Sequence, residues 1–368
     1  MSKPQFPYQR VRRFVLEQIK KGVWKQGEHL PSEVVLAAQM AVHRLTVNRV
    51  MRELVNEGLL HRRRGIGTVV GDTSAKANDS PFGEGLVGLV TGHHFNPAKN
   101  PYYGEIFHGM SEGLKAEGIY LTPLGDVGEF LETISNTKSR ALRKSLTAIA
   151  LLGPVDRQTY AVLEVINQPV VVVGVAEYRG PMPSVASDDR ADAGEVARKI
   201  LDMGHRRIVH LNAVRPCRLE SKLEGFLEAC ESAGAPVPYR YILEADGLEI
   251  EDGRKAMRDF MERGLPFTAV FGGTDHLALG AMAALRESGV HVPDDVSVVG
   301  FDGILTHVAA GLPTVCTMSV PRYEMGLKAA ATLAALCKGH EFQEHVLLRS
   351  TWMSGGTLAA AKSEPAAA

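Results

Sequence analysis

The strongest constraint on the fold is an alternation of short apolar runs with longer helical stretches, which continues over about 280 residues. Such runs are typical of strands buried on both faces of a parallel sheet, and their alternation with helices predicts an α/β fold. The length suits two sheets, with a ligand site between two lobes at the carboxyl ends of the strands. The predicted strands lie at 86–91, 120–124, 148–152, 170–175, 208–212, 241–243, 269–272 and 296–301, and the predicted helices at 102–116, 130–144, 156–166, 190–203, 219–233, 249–263 and 275–288.

The first 70 residues have a different pattern, which predicts three helices followed by a basic hairpin. An apolar stripe over 8–21 predicts the first helix. Ser32 is a suitable N-cap for a short second helix over 33–39, and Glu33 falls at its positive end. A turn at 41–42 then leads to the third helix.

The third helix has an apolar face that we expect to pack on the first helix. Its polar residues project at other angles, near the helix start, and the first residues of a recognition helix reach base edges in the major groove. Arginine pairs well with guanine and asparagine with adenine, while threonine serves a base or a phosphate. The apolar residues are Val47, Val50, Met51 and Leu54, and the polar ones are Arg44, Thr46, Asn48, Arg49 and Arg52.

Two short strands at 59–62 and 68–70 are predicted to form a hairpin with its turn at 65–67. Glycines permit the positive φ of a tight turn, and the arginine run at 62–64 suits phosphate or a narrow minor groove. The alternative is a small basic helical domain with a solvated arginine cluster. The candidate DNA contacts are Ser32, Glu33, Arg44, Thr46, Asn48, Arg49, Arg52, Arg64, Gly65 and Gly67.

The head resembles the GntR-type winged helix-turn-helix DNA-binding domain over about residues 6–71. The resemblance implies operator contacts from Arg44, Thr46, Arg49 and Gly67. His43 stands where that family usually has serine, and we expect it to weaken the cap of the third helix. The matching motifs are Gly27…Leu30-Pro31-Ser32-Glu33, Arg44-x-Thr46-Val47, Leu54…Glu57-Gly58-Leu59 and Gly65-x-Gly67-Thr68.

Charge is divided unevenly along the chain, although the whole carries a formal net charge of only −1. Residues 1–70 hold thirteen basic and five acidic side chains, a net of +8, whereas the remainder has 28 basic and 37 acidic, a net of −9. A basic head on an acidic body fits a phosphate-binding module joined to a domain with another task.

The body resembles the effector-binding domain of the LacI/GalR family over about residues 85–352. That resemblance implies a two-lobed fold of the type I periplasmic-binding-protein kind, whose ligands are mostly sugars and sometimes nucleobases. A hybrid of this head and this body occurs in arabinose-responsive repressors, which the chain resembles in arrangement. The matching motifs are Ser187-Asp188-Asp189, Met203-Gly204-His205-Arg206-Arg207-Ile208, Thr274-Asp275-His276-Leu277-Ala278-Leu279-Gly280, the run from Val292-Pro293-Asp294-Asp295 to Gly300-Phe301-Asp302, and Pro313-Thr314-Val315.

The same resemblance implies a set of ligand contacts. Two aromatic rings fall at the family's stacking position, and Asp302 falls where a carboxylate accepts bonds from ligand hydroxyls. Lys222 replaces the usual arginine and is a point donor instead of a planar fork. Thr274 stands where asparagine is commoner, and Gly174 where some members have aspartate. The candidate ligand-binding residues are Tyr102, Tyr103, Lys222, Thr274, Asp275 and Asp302; any one of them could instead be a satisfied buried polar group.

Other classes of function find little support. The four cysteines have no metal-site spacing, His93, His94 and His108 lack a carboxylate or thiolate partner at a regular spacing, and no nucleophile elbow or phosphate loop is present. We therefore expect no enzyme activity, no metal and no cofactor. The sequence has no apolar signal region or membrane-length run, so we expect a cytoplasmic protein without a membrane partner.

The sequence thus predicts a ligand-responsive transcriptional regulator, most simply a repressor, that binds operator DNA as a homodimer. Its effector is expected to be a small polar molecule such as a sugar; a nucleoside-like ligand or an empty, purely dimerising body are the alternatives. The predicted organisation is a winged-helix domain over 1–71, a linker over 72–85, a two-lobed effector domain over 86–352 and a flexible tail over 353–368.

Overall fold

The computed structural model describes residues 7–56, 59–63, 67–71, 85–92, 100–135, 145–166, 168–214, 219–304, 313–340 and 344–362. Two compact units divide the chain, Met1–Pro81 and Phe82–Ala368. Within the ranges described, no helix combines the length and apolarity that a bilayer span requires.

The first unit is the predicted three-helix head with its hairpin. The inward stripes of α1 and α3 meet in a small core around Val15, Leu36 and Leu54. The backbone N–H groups of Leu30 and Val70 donate to the carbonyls of Thr68 and Glu28. The chain before α2 therefore pairs with the second strand of the hairpin in an antiparallel direction. The elements are α1 (Pro7–Lys20), α2 (Glu33–Met40), α3 (Arg44–Asn56), β1 (Leu60–Arg63) and β2 (Gly67–Val70).

The second unit contains two six-stranded sheets, as the alternating pattern predicts. Its strands are β3 (Gly85–Thr91), β4 (Ile119–Asp126), β5 (Ala148–Leu152), β6 (Val170–Val173), β7 (Ser184–Ser187), β8 (Ile208–Ala213), β9 (Ile242–Ala245), β10 (Ala269–Gly272), β11 (Ser297–Asp302), β12 (Cys316–Ser319), β13 (His345–Leu348) and β14 (Thr351–Met353). Its α-helices are α4 (Pro101–Ala116), α5 (Val127–Ser135), α6 (Arg157–Val165), α7 (Asp189–Asp202), α8 (Glu220–Ser232), α9 (Ile250–Met261), α10 (Asp275–Glu287) and α11 (Arg322–Cys337).

Each sheet is the centre of one lobe. The first lobe has the strand order β13-β7-β6-β5-β3-β4 and the second the order β14-β12-β11-β10-β8-β9. All pairings are parallel except that of β12 with β14. Helices on both faces bury the central strands completely, and this burial explains why β6 is an unbroken run of four valines, whereas the edge strands β4, β13 and β14 are partly exposed.

Three segments cross between the lobes: β7 to α7, β12 to α11, and β13 to β14. The fully buried Asp192 fastens two of them together. Its carboxylate accepts from Arg349 Nε at 2.6 Å and from the backbone N–H of Ser350 at 2.8 Å. Two of the three crossings are therefore held together by hydrogen bonds to a buried carboxylate as well as by chain connectivity.

The chain after β14 packs on the second lobe, which corrects the predicted flexible tail over its described part, residues 354–362. Thr357 is fully buried, and its hydroxyl accepts from the N–H of Cys316 at 2.9 Å. The backbone N–H of Ala361 donates to Met203 at 2.7 Å. Polarity and small side chains led to the prediction of a tail, but backbone and hydroxyl hydrogen bonds anchor the segment.

Candidate functional sites

The outer surface of α3 is a polar stripe that lies opposite its buried face. Val47, Val50, Met51 and Leu54 are all at most 1% exposed. At 100° per residue, the opposite side of the helix presents Leu45 in the first turn and three polar residues spaced after it. Those residues are Asn48, Arg49 and Arg52.

Glu33, at the start of α2, connects the residues that the sequence selected for DNA contact. Its carboxylate accepts from Asn48 Nδ2 at 2.8 and 2.9 Å and from Arg62 at 2.7 Å. Arg44 Nε lies 3.9 Å away, and Arg52 donates to Asn48 Oδ1 at 3.3 Å. One carboxylate thus holds side chains from α3 and β1 in a single cluster that carries excess positive charge.

Both helices of the motif have side-chain caps. Ser32 Oγ accepts from the N–H of Val35 at 3.4 Å. His43, which we expected to weaken the cap of α3, supplies its ring Nδ1 as an acceptor for the N–H of Leu45 at 3.2 Å. Its carbonyl also accepts from the N–H of Thr46, and this bond holds the half-buried Thr46 in the first turn. The imidazole therefore provides the acceptor that serine would otherwise supply.

The hairpin places further candidates beside this cluster. Arg62 pairs with Thr68 across β1 and β2. Gly67 has a φ of 112°, a conformation that favours glycine. Arg64 and Gly65, the other two hairpin candidates, lie outside the described residues.

The second candidate site lies at the carboxyl ends of strands in both lobes, and Lys222 is at its centre. Lys222 Nζ donates to Asp302 Oδ1 at 2.9 Å and to the carbonyl of Gly273 at 3.0 Å. It lies 4.0 Å from Asp189 Oδ2 and 4.0 Å from the centroid of the Phe301 ring. Four neighbours thus surround a lysine that is almost fully buried.

Asp302 is the last residue of β11 and has a φ of 105°, a strained backbone conformation outside glycine. Its carboxylate meets Lys222, and its carbonyl accepts from the buried Arg322, at the start of α11. Arg322 Nε also donates to Glu105 of α4 at 2.9 Å. Arg322 therefore links a strand end of the second lobe to a helix of the first.

Asp189 and Tyr102 connect the lobes a second time. Ser187, at the end of β7, donates to Asp189 Oδ1 at 2.5 Å and shares a hydrogen bond with Tyr102. The Tyr102 ring lies 5.9 Å from the guanidinium of Arg322. Both links therefore meet at Tyr102, and the polar contacts run through both lobes.

Burial dominates the electrostatics of this cluster. It raises the pKa of Asp189 to about 7, although Lys222 and Ser187 favour the charged carboxylate. Burial also raises the pKa of Tyr102, and Asp189 and Asp302 raise it further. Burial alone would lower the pKa of Lys222, but Asp302 and Asp189 outweigh it and raise that pKa. The lysine stays charged, and it faces the carboxylates of both Asp189 and Asp302.

Tyr103 packs edge-on against Tyr102, with ring centroids 4.9 Å apart. Gly174 has a φ of 74°, a backbone conformation that favours glycine, and a Cβ there would only make an ordinary contact with this ring at 3.4 Å. The glycine noted in the sequence as a lost hydroxyl partner therefore has a backbone role.

Thr274 and Asp275 mainly serve the second lobe itself. Thr274 Oγ1 caps α10 by accepting from the N–H of Leu277 at 3.2 Å. The buried Asp275 accepts from Thr317 Oγ1 at 2.6 Å and from the N–H of Ile304 at 2.7 Å. The structure thus brings Tyr102, Lys222 and Asp302 into one cluster and gives these two residues local partners.

Sequence reasoning did not select Asp189, Arg322 and Glu105 as site residues. Asp189 belongs to the recognised motif Ser187-Asp188-Asp189, but sequence reasoning assigned it no role. Its position two residues after Ser187 was the available signal. Arg322 follows a strand that was not predicted. Of the three histidines considered for a metal, His93 and His94 lie outside the described residues, and His108 is 3.8 Å from Glu112 on α4.

Comparison with known proteins identifies the domain type of both units. Residues 7–70 match the model of the gntR family of bacterial regulatory proteins, and residues 197–358 match the periplasmic binding protein-like domain. The arabinose metabolism transcriptional repressor of Geobacillus stearothermophilus is 26% identical over 89% of this chain and 90% of its own.

Two further proteins are similar to this chain. The HTH-type transcriptional repressor CytR of Escherichia coli strain K12 is 29% identical over 65% of this chain and 70% of its own. A structure of the transcriptional regulator CelR in complex with cellobiose superposes with a TM-score of 0.65 at 21% identity, covering 89% of this chain and all of that one. The last similarity is one of fold.

Proposed function

We propose that this chain, which joins a DNA-binding domain of the gntR family to a periplasmic-binding-protein-like effector domain, is a transcriptional repressor whose affinity for operator DNA changes when a sugar occupies the cleft between its lobes. The observation that carries the proposal is the buried polar cluster around Lys222, because it links both lobes at the strand ends where ligands of such folds bind.

On the DNA side, α3 enters the major groove and the hairpin contacts the backbone or minor groove. Arg44, Thr46 and Asn48 face base edges, whereas Arg49, Arg52 and the hairpin residues Arg64, Gly65 and Gly67 contact phosphates. Ser32 and Glu33 hold α2 against this surface, where a helix N-terminus suits a phosphate.

On the effector side, the rings of Tyr102 and Tyr103 pack on the C–H face of a sugar. Lys222 and Asp302 exchange part of their mutual contact for hydrogen bonds to its hydroxyls. Thr274 and Asp275 stabilise the second-lobe side of the cleft beside them. The names of two similar proteins, an arabinose metabolism repressor and a regulator bound to cellobiose, support a sugar.

Regulation follows from a shift of population between lobe arrangements. A ligand that prefers one arrangement stabilises it by its difference in affinity, and DNA affinity changes by the same coupling. Two copies of the chain present two heads to a pseudo-palindromic operator. No reaction is required, so the protein acts without a cofactor in the cytoplasm.

A thermal-shift screen against pentoses, hexoses, uronic acids and nucleosides identifies the effector, since a ligand that binds only the folded state raises the melting temperature. Fluorescence anisotropy with operator duplex then measures DNA affinity with and without it. Tyr103→Leu should abolish the ligand's thermal shift, whereas Tyr239→Leu, at a tyrosine 78% exposed on the second lobe, should preserve it. DNA affinity indifferent to every ligand that binds would refute the proposal, and a nucleoside hit would replace the sugar.

A further inference from the structure

Leu45 is an apolar residue at the N-terminal end of the polar outer stripe of α3. It is 71% exposed, more than any other large aliphatic side chain that the structure describes. Its neighbours one turn later are Asn48 and Arg49, and Arg52 follows two turns later. An exposed leucine between such residues gains nothing from water and has no partner within the head's core.

The position of Leu45 decides what it can meet. It lies in the first turn of α3, directly opposite the face that Val50 and Leu54 bury, and the first turn of a recognition helix approaches base edges most closely. Leucine has no hydrogen-bonding group, so it cannot read the donors and acceptors of a base pair. The major groove offers one methyl group, the C5-methyl of thymine.

We propose that Leu45 is a specificity-determining residue that packs on a thymine methyl group in each operator half-site. The inference rests on the proposed function, in which α3 lies in the major groove. Charge complementarity favours DNA as the occupant, because α3 also carries Arg44, Arg49 and Arg52, and the nearby carboxylate of Glu33 already has partners.

The test uses the full-length protein and an operator obtained by in vitro selection from random duplexes. Each thymine of one half-site is replaced in turn by deoxyuridine, which lacks only the methyl group, and affinity is measured by fluorescence anisotropy. At one position or two adjacent ones we expect the wild type to bind about fourfold more weakly, the value of one buried methyl group. Leu45→Ala should bind the thymine and deoxyuridine duplexes equally at that position.

The matched control is Val23→Ala, at an exposed aliphatic in the loop after α1, which should keep the wild-type response to every deoxyuridine. The proposal is overturned if Leu45→Ala and the wild type respond alike at every position, or if no thymine of the half-site matters. Leu45→Ala could instead change the mass of the assembly in solution while responding to each deoxyuridine substitution as the wild type does. That result would overturn the proposal and assign Leu45 to a contact between protein chains. Failure of selection to yield any specific duplex would refute the proposed function itself.

Discussion

Asp189 and Asp302 contact the same ammonium group but have different surroundings. Asp302 lies 2.9 Å from Lys222 Nζ, whereas Asp189 lies 4.0 Å from it and also accepts from Ser187. Two carboxylates around one lysine leave an excess of negative charge in a buried site, and protonation of one of them relieves it. Asp189, with a pKa raised to about 7 by burial, is the residue that takes the proton.

This protonation makes stability depend on pH through Asp189. The folded state binds the proton more tightly than the unfolded state, in which aspartate has its ordinary pKa near 3.8. The stabilising contribution is therefore complete below that ordinary value and is lost as the pH rises through about 7. Asp189→Asn imitates the protonated form, so its free energy of unfolding should exceed that of the wild type by more at pH 8 than at pH 5.

Urea denaturation at the two pH values measures this difference. Asp246→Asn, at an exposed carboxylate on the second lobe, serves as the control and should differ from the wild type equally at both. An Asp189→Asn protein that is destabilised by the same amount at pH 5 and pH 8 would contradict the buried protonation.

At the scale of single residues, the sequence predicted which side chains join the polar cluster better than it predicted which residues they contact. Lys222, Asp302 and Tyr102 were all selected and all join one cluster. Arg322 and Glu105 were not, because their contact joins residues 217 positions apart, and no local pattern records such a separation. His43 illustrates the converse: sequence reasoning saw a missing hydroxyl, but a ring nitrogen can accept the same backbone hydrogen bond.

The turn between α2 and α3 is the element that fixes the angle between α2 and α3, the proposed recognition helix. Ala41 ends α2 in a left-handed conformation with a φ of 52°, and its N–H donates to the last carbonyls of that helix. The side chain of an L-residue is crowded in this conformation, whereas glycine adopts it freely. The turn therefore carries strain in this chain.

Ala41→Gly should stabilise the head by about 1 kcal/mol by relieving that strain. The same exchange at Ala38, exposed inside α2, should destabilise it by about the same amount, since glycine is a poor helix former. Opposite shifts of the head's melting transition, followed by circular dichroism at 222 nm, would confirm the prediction. Two shifts of the same sign would show that helix propensity, and not the turn, controls stability here.

Three of the elements missed from the sequence, β7, β12 and α11, lack a clear apolar pattern. β7 is a four-residue strand with two serines, and β12 likewise mixes apolar and hydroxyl residues, so neither gives a continuous apolar run. α11 is rich in alanine and packs against both α4 and the strands of the first lobe, so burial on several sides weakens its amphipathic signal. Predicted strands such as β5 and β6, in contrast, are continuous apolar runs.

Across the whole molecule, charge separates the two tasks. The head carries a net charge of +8 over residues 1–70 and the remainder −9. An acidic body repels DNA, so this division of charge favours contact with the duplex through the head, as the proposed function requires. Near-neutral overall charge is the consequence of this division and says nothing against DNA binding.

The division predicts that salt affects the two binding events differently. Displacement of counterions from DNA makes the logarithm of operator affinity fall linearly with the logarithm of salt concentration, by about 0.9 for each phosphate contact. Arg49→Gln and Arg52→Gln should each reduce this slope by about that amount in anisotropy titrations from 50 to 300 mM salt. Arg254→Gln, at an arginine of α9 paired with Glu251 and Glu287, should leave the slope unchanged. Effector affinity, followed by thermal shift in the same buffers, should stay nearly constant, because a neutral sugar releases no counterions. Equal loss of slope in all three variants would place the phosphate contacts outside α3.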